Sequence, residues 1–338
     1  MPAIAAVVIP MHGGHAHVES YGWSLDPLPL AGLILTAAIY GVLVLLAHRR
    51  AGHGRTGHRV SRVRIACFGA GLAIIAIALF SPIDPFGEDR SAAVHMLQHE
   101  LLLMVAPLLL VLGVEQRVAL PISRVVMRGI HVRGWRAVLE AAGNPWFTAA
   151  LWGVIGAGWH IPAAYGLSLA HPGVHIAEHL SLLATGTLFW ASIVGRIPAV
   201  HRASLAERIG ALGIVMAVGG IVGAGLLWAP AVLYSGYEGT TGVAGMTALA
   251  DQHAAGALMM AVDMPLLLGA MILVVAATKR DATLDSPGRA RAVAGAASPA
   301  TAATSAPPAP TASTAPTAPT APTAVTTSTA PTAQSIGG

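Results

Sequence analysis

Residues 95–113 read HMLQHELLLMVAPLLLVLG, and this stretch decides the class of fold. His95 and His99 stand four positions apart at its start, and an almost unbroken apolar run follows them. In an α-helix, residues four apart lie on the same face, one turn from each other. Apolar runs of this length are typical of helices that live in lipid. The sequence therefore predicts two imidazoles on one helix face, where that helix enters a membrane.

The composition of the whole chain indicates an integral membrane protein. Of the 338 residues, 55% are hydrophobic and only 10% are charged, against about 25% charged residues in a typical soluble domain. The net charge is +4, and the basic residues lie beside apolar spans, which suits an anionic membrane surface better than nucleic acid. The single cysteine, Cys67, excludes an internal disulfide and argues against a thiolate metal site.

The apolar segments predict an all-α polytopic membrane protein with a bundle of seven transmembrane helices. These spans cover residues 28–47, 65–80, 94–114, 146–164, 174–195, 209–233 and 252–277. The chain then divides into an outer-side N-terminal head (1–27), the membrane domain (28–280) and an Ala/Pro/Thr-rich tail (281–338). We expect the tail to be disordered, because its composition cannot bury enough apolar surface to fold.

The distribution of positive charge predicts the orientation. Of the 19 lysines and arginines, only Arg90 lies outside the loops after spans one, three and five and the C-terminal segment. Under the positive-inside rule those four segments are cytoplasmic. The N-terminus is then outside and the C-terminus, with the tail, is inside.

This topology divides the 15 histidines into two groups. Five lie among cytoplasmic arginines and are interpreted as solvated loop residues: His48, His53, His58, His131 and His201. The other ten lie on the outer side, and four separate spans supply the candidate metal ligands His95, His99, His160, His175, His179 and His253. Neutral imidazole is the commonest metal ligand, and a pair four residues apart on a helix can bind one ion. For His12, His15, His17 and His171 an ordinary interface role is favoured.

The kinds of ligand indicate which metal such a site would take. Imidazoles without thiolate suit copper or zinc, and divalent copper heads the general affinity order. Met96 lies at the same level, and a thioether favours monovalent copper. Carboxylates near a membrane interior are costly, so Glu100, Glu178 and Asp251 are interpreted as supporting residues that orient the imidazoles.

Two other functions remain open from the residues alone. One imidazole from the third span and one from the fifth could clamp a haem, as in a membrane electron carrier. Asp263, deep in the seventh span, would suit a transporter of metal ions or protons. An enzyme is not favoured, since the chain contains no nucleophile elbow, Walker-type loop or H-E-x-x-H motif.

Several segments together resemble one family. His95-Met-Leu-Gln-His99 followed by Ala106-Pro107-Leu-Leu-Leu110 resembles the third span of the seven-helix cytochrome c oxidase assembly factors of the caa3-type CtaG family. The fourth, fifth and last spans are similar in Trp159-His160-Ile-Pro162-Ala-Ala-Tyr165, His171, His175, Glu178-His179, Leu188-Phe189-Trp190, Asp251-Gln252 and Gly256. The resemblance covers roughly residues 25–280. It implies a multi-pass protein of a bacterial-type plasma membrane that handles copper for a haem-copper oxidase, with the oxidase subunits, above all the haem-copper subunit, as partners.

Overall fold

The computed structural model describes residues 21–52, 60–195, 201 and 203–284, and the regular elements in these ranges are helical. The α-helices are α1 Pro27–Gly52, α2 Arg62–Phe80, α3 Ile83–Asp89, α4 Ala92–Glu100, α5 Ala106–Gly113, α6 Gln116–Arg128, α7 Arg133–Gly143, α8 Pro145–Trp159, α9 Pro162–Ala170, α10 Pro172–Val194, α11 Leu205–Leu227 and α12 Ala248–Leu284. A π-helical turn, Leu101–Val105, joins α4 to α5, and 3₁₀ turns lie at Ser235–Tyr237 and Val243–Gly245. The described residues do not include the histidines of the N-terminal head, His12, His15 and His17. They also do not include the tail from residue 285 onward.

Within the described ranges, five helices are long and apolar enough to cross a membrane. They are Pro27–Arg49, Arg62–Phe80, Ala92–Gly113, Leu205–Leu227 and Ala248–Arg280, and they correspond to the predicted spans one, two, three, six and seven. The helices at the predicted fourth and fifth spans, α8 and α10, are not among the five. α8 has 15 residues, a rise of about 22 Å against about 30 Å of bilayer hydrocarbon. The five candidates indicate a multi-pass membrane protein.

The predicted fourth span, residues 146–164, is interrupted. Helix α8 ends at Trp159, and α9 begins at Pro162 after Ile161 has turned to an extended conformation (φ −65°, ψ 127°). A proline has no N–H for a helical hydrogen bond, and it disfavours helical geometry in the residue before it. His160 therefore lies at the C-terminal cap of α8.

The helices that carry the candidate ligands belong to a closed ring. In the continuous helix Ala92–Gly113, α4 contacts α12, while the π turn and α5 contact α10. Helix α10 contacts α8, and α8 contacts α11. Helix α11 packs against α12 and closes the ring. Apolar side chains fill the centre, including Leu103, Trp152, Phe189, Trp190 and Leu212. Helix α2 packs against α5 from outside the ring, and α1 packs against α2.

A close approach sets the distance between α10 and the π turn. Pro107 cannot donate to the carbonyl oxygen of Leu103, and the π turn directly precedes this proline. A Cβ atom on Gly186 would overlap that same carbonyl oxygen, so a glycine is what lets the two backbones come together. Gly186 follows His179 by two helical turns, and this contact therefore positions the histidines of α10 opposite those of α4.

Candidate metal centre

Side chains from α4 and α10 meet at one end of the ring. Potential ligand atoms of His95, His175, Glu178 and His179 all lie within 4.8 Å of one another, and all four residues are buried. Two ligands of one zinc ion, each about 2.0–2.2 Å from it, lie about 3–4 Å apart. Only small inward movements would therefore bring these atoms around a single ion.

The two histidine pairs face each other across the contact between α4 and α10. The ring centroids are 4.5 Å apart in the pair His95–His99 and 4.1 Å apart in the pair His175–His179. Between the helices, the centroid of His95 lies 5.3 Å from that of His175 and 6.1 Å from that of His179. Glu178 reaches between the pairs, with Oε2 3.9 Å from His95 Nε2 and Oε1 3.4 Å from His99 Nε2. The helical spacing of the sequence thus produces one compact group of imidazoles.

Many polar atoms of this group have no hydrogen-bond partner among the described residues. They are Nε2 of His95, His175 and His179, both ring nitrogens of His99, and Oε1 of Glu178. A buried polar atom without a partner costs about 1–3 kcal/mol, so a native structure rarely gathers several in one place. A cation bound by His95, His175, Glu178 and His179 would give partners to the atoms of those four residues, and this donor set of imidazoles and one carboxylate fits a transition metal.

Glu88 fixes the ring of His175. Its Oε1 lies 2.5 Å from Nδ1 of the buried His175, while the Glu88 side chain remains 31% exposed. Nδ1 therefore carries the proton and donates a hydrogen bond to the carboxylate, so in the neutral ring the unpartnered Nε2 has the lone pair. A carboxylate behind an imidazole is the usual outer partner of a metal-bound histidine.

Tyr237 holds the ring of His95 in the way that Glu88 holds that of His175. Its hydroxyl donates to the carbonyl oxygen of Gly87 at 2.7 Å and lies 3.3 Å from His95 Nδ1 and 2.9 Å from the hydroxyl of Tyr165. Burial raises the pKa of the Tyr237 hydroxyl, so this group stays protonated. Because the tyrosine proton goes to Gly87, His95 Nδ1 donates to the tyrosine oxygen and its Nε2 keeps a lone pair.

The four-residue group does not include three of the predicted ligands: His99, His160 and His253. His160 donates from Nδ1 to the carbonyl oxygen of Gly156 at 2.6 Å, and its ring centroid is 5.7 Å from that of His99. His253 lies against the loop after α11, where its Nε2 is 2.9 Å from the carbonyl oxygen of Ala229. The structure thus brings five of the six predicted histidines into mutual ring contact and engages His253 with backbone elsewhere.

The predicted supporting residues occupy different positions. Glu178 is itself one of the potential ligands, and its Oε2 accepts a hydrogen bond from the Ser168 hydroxyl. Asp251 accepts from the Ser91 hydroxyl at 2.8 Å and from the Ala93 N–H at 3.1 Å, so it ties the first turn of α4 to α12. Glu100 hydrogen-bonds with Asp263 on α12.

Sequence reasoning missed Glu88, Tyr237 and Ser168 as site residues. Glu88 stands in an acidic loop on the predicted outer side, level with the start of the third span, and that position was a usable signal. Tyr237 lies in a Gly/Thr-rich segment and Ser168 in a short helix. Neither segment has a periodicity that would point to the cluster.

The fold and this cluster define a class: helical, multi-pass membrane proteins with a buried imidazole–carboxylate centre at one end of the bundle. The chain belongs to the Caa3_CtaG family, the cytochrome c oxidase caa3 assembly factors, whose family model matches residues 38–280. This range contains every residue of the cluster, and the match confirms the resemblance read from the sequence. The protein is accordingly an assembly factor for caa3 cytochrome c oxidase. No curated protein and no solved structure matches the chain significantly.

Proposed function

We propose that this assembly factor binds copper in the cluster of His95, His175, Glu178 and His179 and supports its insertion into the haem-copper subunit of the oxidase. The observation that carries the proposal is the set of unpartnered, buried ring nitrogens that the two helices turn toward each other. The role is that of a binding protein, with the metal as cargo and no catalysed reaction.

The choice of copper follows from the donor atoms. The cluster offers imidazole nitrogens and one carboxylate oxygen, and the single cysteine lies on α2 outside it. Such a set suits divalent copper or zinc, with copper preferred in the general affinity order. The partly exposed Glu88 lies next to buried His175, which gives an arriving cation an anionic contact at the edge of the site.

The proposal includes the predicted topology, in which α8 and α10 complete seven spans with the N-terminus outside. The ends of the ring differ in charge. The cluster end carries histidines and the carboxylate of Glu88, whereas the α6–α7 region exposes Arg124, Arg128 and Arg136. Positive charge beside spans favours the cytoplasmic side, so the cluster would face outward, where the metal centres of an oxidase could receive copper.

The metal content of purified protein tests this function. The full chain in lipid nanodiscs is loaded with copper or zinc, and bound metal is counted by mass spectrometry. The double variant His175→Ala/His179→Ala should lose most of the metal that wild-type protein retains, while His131→Ala, at an exposed position between α6 and α7, should retain it. Equal metal in the double variant and wild type would contradict the proposed site.

The cellular role needs a second measurement. In a strain that lacks the native gene, copper content and assembly of the caa3 oxidase should be restored by wild type and by His131→Ala but not by the double variant. A Soret band in the purified protein would support the haem alternative instead, and metal uptake into proteoliposomes would support a transporter.

A further inference from the structure

Met96 and His160 form a contact that ordinary packing does not explain. The Sδ atom of the fully buried Met96 lies 3.1 Å from Nε2 of His160. Met96 belongs to α4, one residue after the first ligand of the cluster, while His160 caps α8 on the other side of the ring. A sulfur and a ring nitrogen from two different helices thus converge beside the four-residue group.

The hydrogen bond on the far side of His160 decides which atoms face each other. Nδ1 lies 2.6 Å from the carbonyl oxygen of Gly156, and a carbonyl can only accept, so Nδ1 carries the proton. In the neutral ring the other nitrogen, Nε2, then has a lone pair and no proton. A thioether sulfur also presents lone pairs, so the 3.1 Å contact joins two electron donors. Two lone pairs that face each other repel, and a cation bound by both atoms would replace this repulsion with coordination.

His99 connects this contact with the larger cluster. Its ring centroid is 5.7 Å from that of His160 and 5.8 Å from that of His179. Both of its ring nitrogens are buried and have no hydrogen-bond partner in the described part of the chain. One imidazole without a hydrogen-bond partner on either nitrogen therefore stands between the thioether contact and the imidazole–carboxylate cluster, and its lone pair lies on one nitrogen or the other according to its tautomer.

We propose that Met96, His160 and His99 form a second metal position that takes a soft monovalent cation of the Cu(I) class. Thioether and imidazole ligands select Cu(I), whereas the carboxylate-containing cluster suits a divalent ion. The inference rests on the proposed metal-handling function and adds that the protein holds copper in two neighbouring sites of different chemistry. The tautomer of His99 decides which of the two sites its lone pair can serve.

X-ray absorption at the copper edge tests the sulfur ligand directly. The full chain is used in nanodiscs on a Cys67→Ser background, which removes the only thiol, and it is loaded anaerobically with Cu(I). Wild type should show a sulfur neighbour of copper. Met96→Leu should abolish that signal and weaken Cu(I) binding, while zinc binding should remain. Met104→Leu is the matched control, because Met104 is equally buried on the same continuous helix.

The outcomes separate this inference from the proposed function. Absence of a copper–sulfur signal in wild type, its persistence in Met96→Leu, or loss of zinc in Met96→Leu would each overturn the second site. The double variant His175→Ala/His179→Ala should keep the sulfur signal and lose zinc. If that variant binds zinc as wild type does, the proposed function fails while the result for Met96 stands.

Discussion

Glu88 is a single side chain that tunes the candidate centre from its edge. Its carboxylate accepts the proton of His175 Nδ1 at 2.5 Å, which orients the ring and makes Nε2 a better donor to a metal. We expect Glu88→Gln, which keeps an oxygen acceptor but loses the negative charge, to weaken metal binding by about tenfold, the lower end of the effect of changing such outer partners in other metal sites. Competition with a chelator of known affinity measures this.

The control for that variant is Glu140→Gln. Glu140 also pairs through a carboxylate, with Arg136 at 2.8 Å, but on the surface of α7. Removal of a surface pair changes little, so metal affinity should stay at the wild-type value. An affinity of Glu88→Gln equal to that of wild type would show that His175 does not depend on the carboxylate.

Tyr237 gives a second prediction about a single residue. Tyr237→Phe removes the donor to the Gly87 carbonyl and the acceptor for His95 Nδ1. The unpaired polar groups should lower stability by about 1–3 kcal/mol, and metal should bind more weakly because the tautomer of His95 is no longer fixed. Denaturation in detergent and chelator competition measure the two effects.

Tyr40→Phe is the matched comparison for Tyr237→Phe. The hydroxyl of Tyr40 donates to the Gly113 carbonyl at 3.1 Å, at the other end of the third predicted span. This variant should lose stability and keep its metal affinity. If both tyrosine variants bind metal alike, Tyr237 has only a structural role.

At the residue scale, helical spacing made part of the site predictable. The pairs His95–His99 and His175–His179 follow from positions four apart on two helices, and polar residues at membrane depth are unusual enough to attract attention. His253 shows the limit of this reasoning: it matched the others in predicted depth, but its ring nitrogen lies against the Ala229 carbonyl. The rotation of a helix about its axis decides that outcome, and a single sequence does not define it.

Among the helices, the contact between α10 and the π turn carries the next prediction. A methyl group on Gly186 would overlap the carbonyl oxygen of Leu103, so Gly186→Ala should push α10 outward. We expect a loss of about 1–3 kcal/mol, the usual cost of overpacking, and weaker metal binding because the two histidine pairs separate. Thermal unfolding in nanodiscs and metal content measure these effects.

Gly173→Ala tests whether the effect is specific to the contact. Gly173 lies in the first turn of the same helix, and no described atom comes within 4 Å of a Cβ placed there. The added methyl group should leave metal binding unchanged and favour the helix by up to about 1 kcal/mol. Wild-type stability and metal content in Gly186→Ala would mean that the close approach does not position the site.

The elements that the sequence located best are the uniformly apolar ones. The predicted spans 28–47 and 65–80 correspond to α1 and α2. The sequence predicted one span over residues 146–164 and did not indicate the break between α8 and α9, because a proline near the end of an apolar run can either kink a helix or end it. The π turn before Pro107 was not predicted either, although the proline itself is visible in the sequence.

For the whole molecule, the ring of helices explains why residues far apart in the chain meet. α4 and α10 carry the histidine pairs, α8 brings His160, and the segment between α11 and α12 supplies Tyr237. The sequence placed the histidines at one predicted depth through charge asymmetry and span lengths. It did not order the helices around the ring, because every apolar face is an equally good neighbour for another in lipid.

The orientation of the molecule gives the last prediction, and cysteine labelling in intact cells tests it. Glu238→Cys and His131→Cys each introduce a thiol at an exposed position on a Cys67→Ser background, the first between α11 and α12 and the second between α6 and α7. If the arginine-rich α6–α7 region is cytoplasmic, a membrane-impermeant maleimide should label only Glu238→Cys in intact cells and both variants after permeabilisation. Labelling of His131→Cys alone in intact cells would reverse the orientation and place the metal centre on the cytoplasmic side. The supply of copper to the outer face of an oxidase would then be excluded.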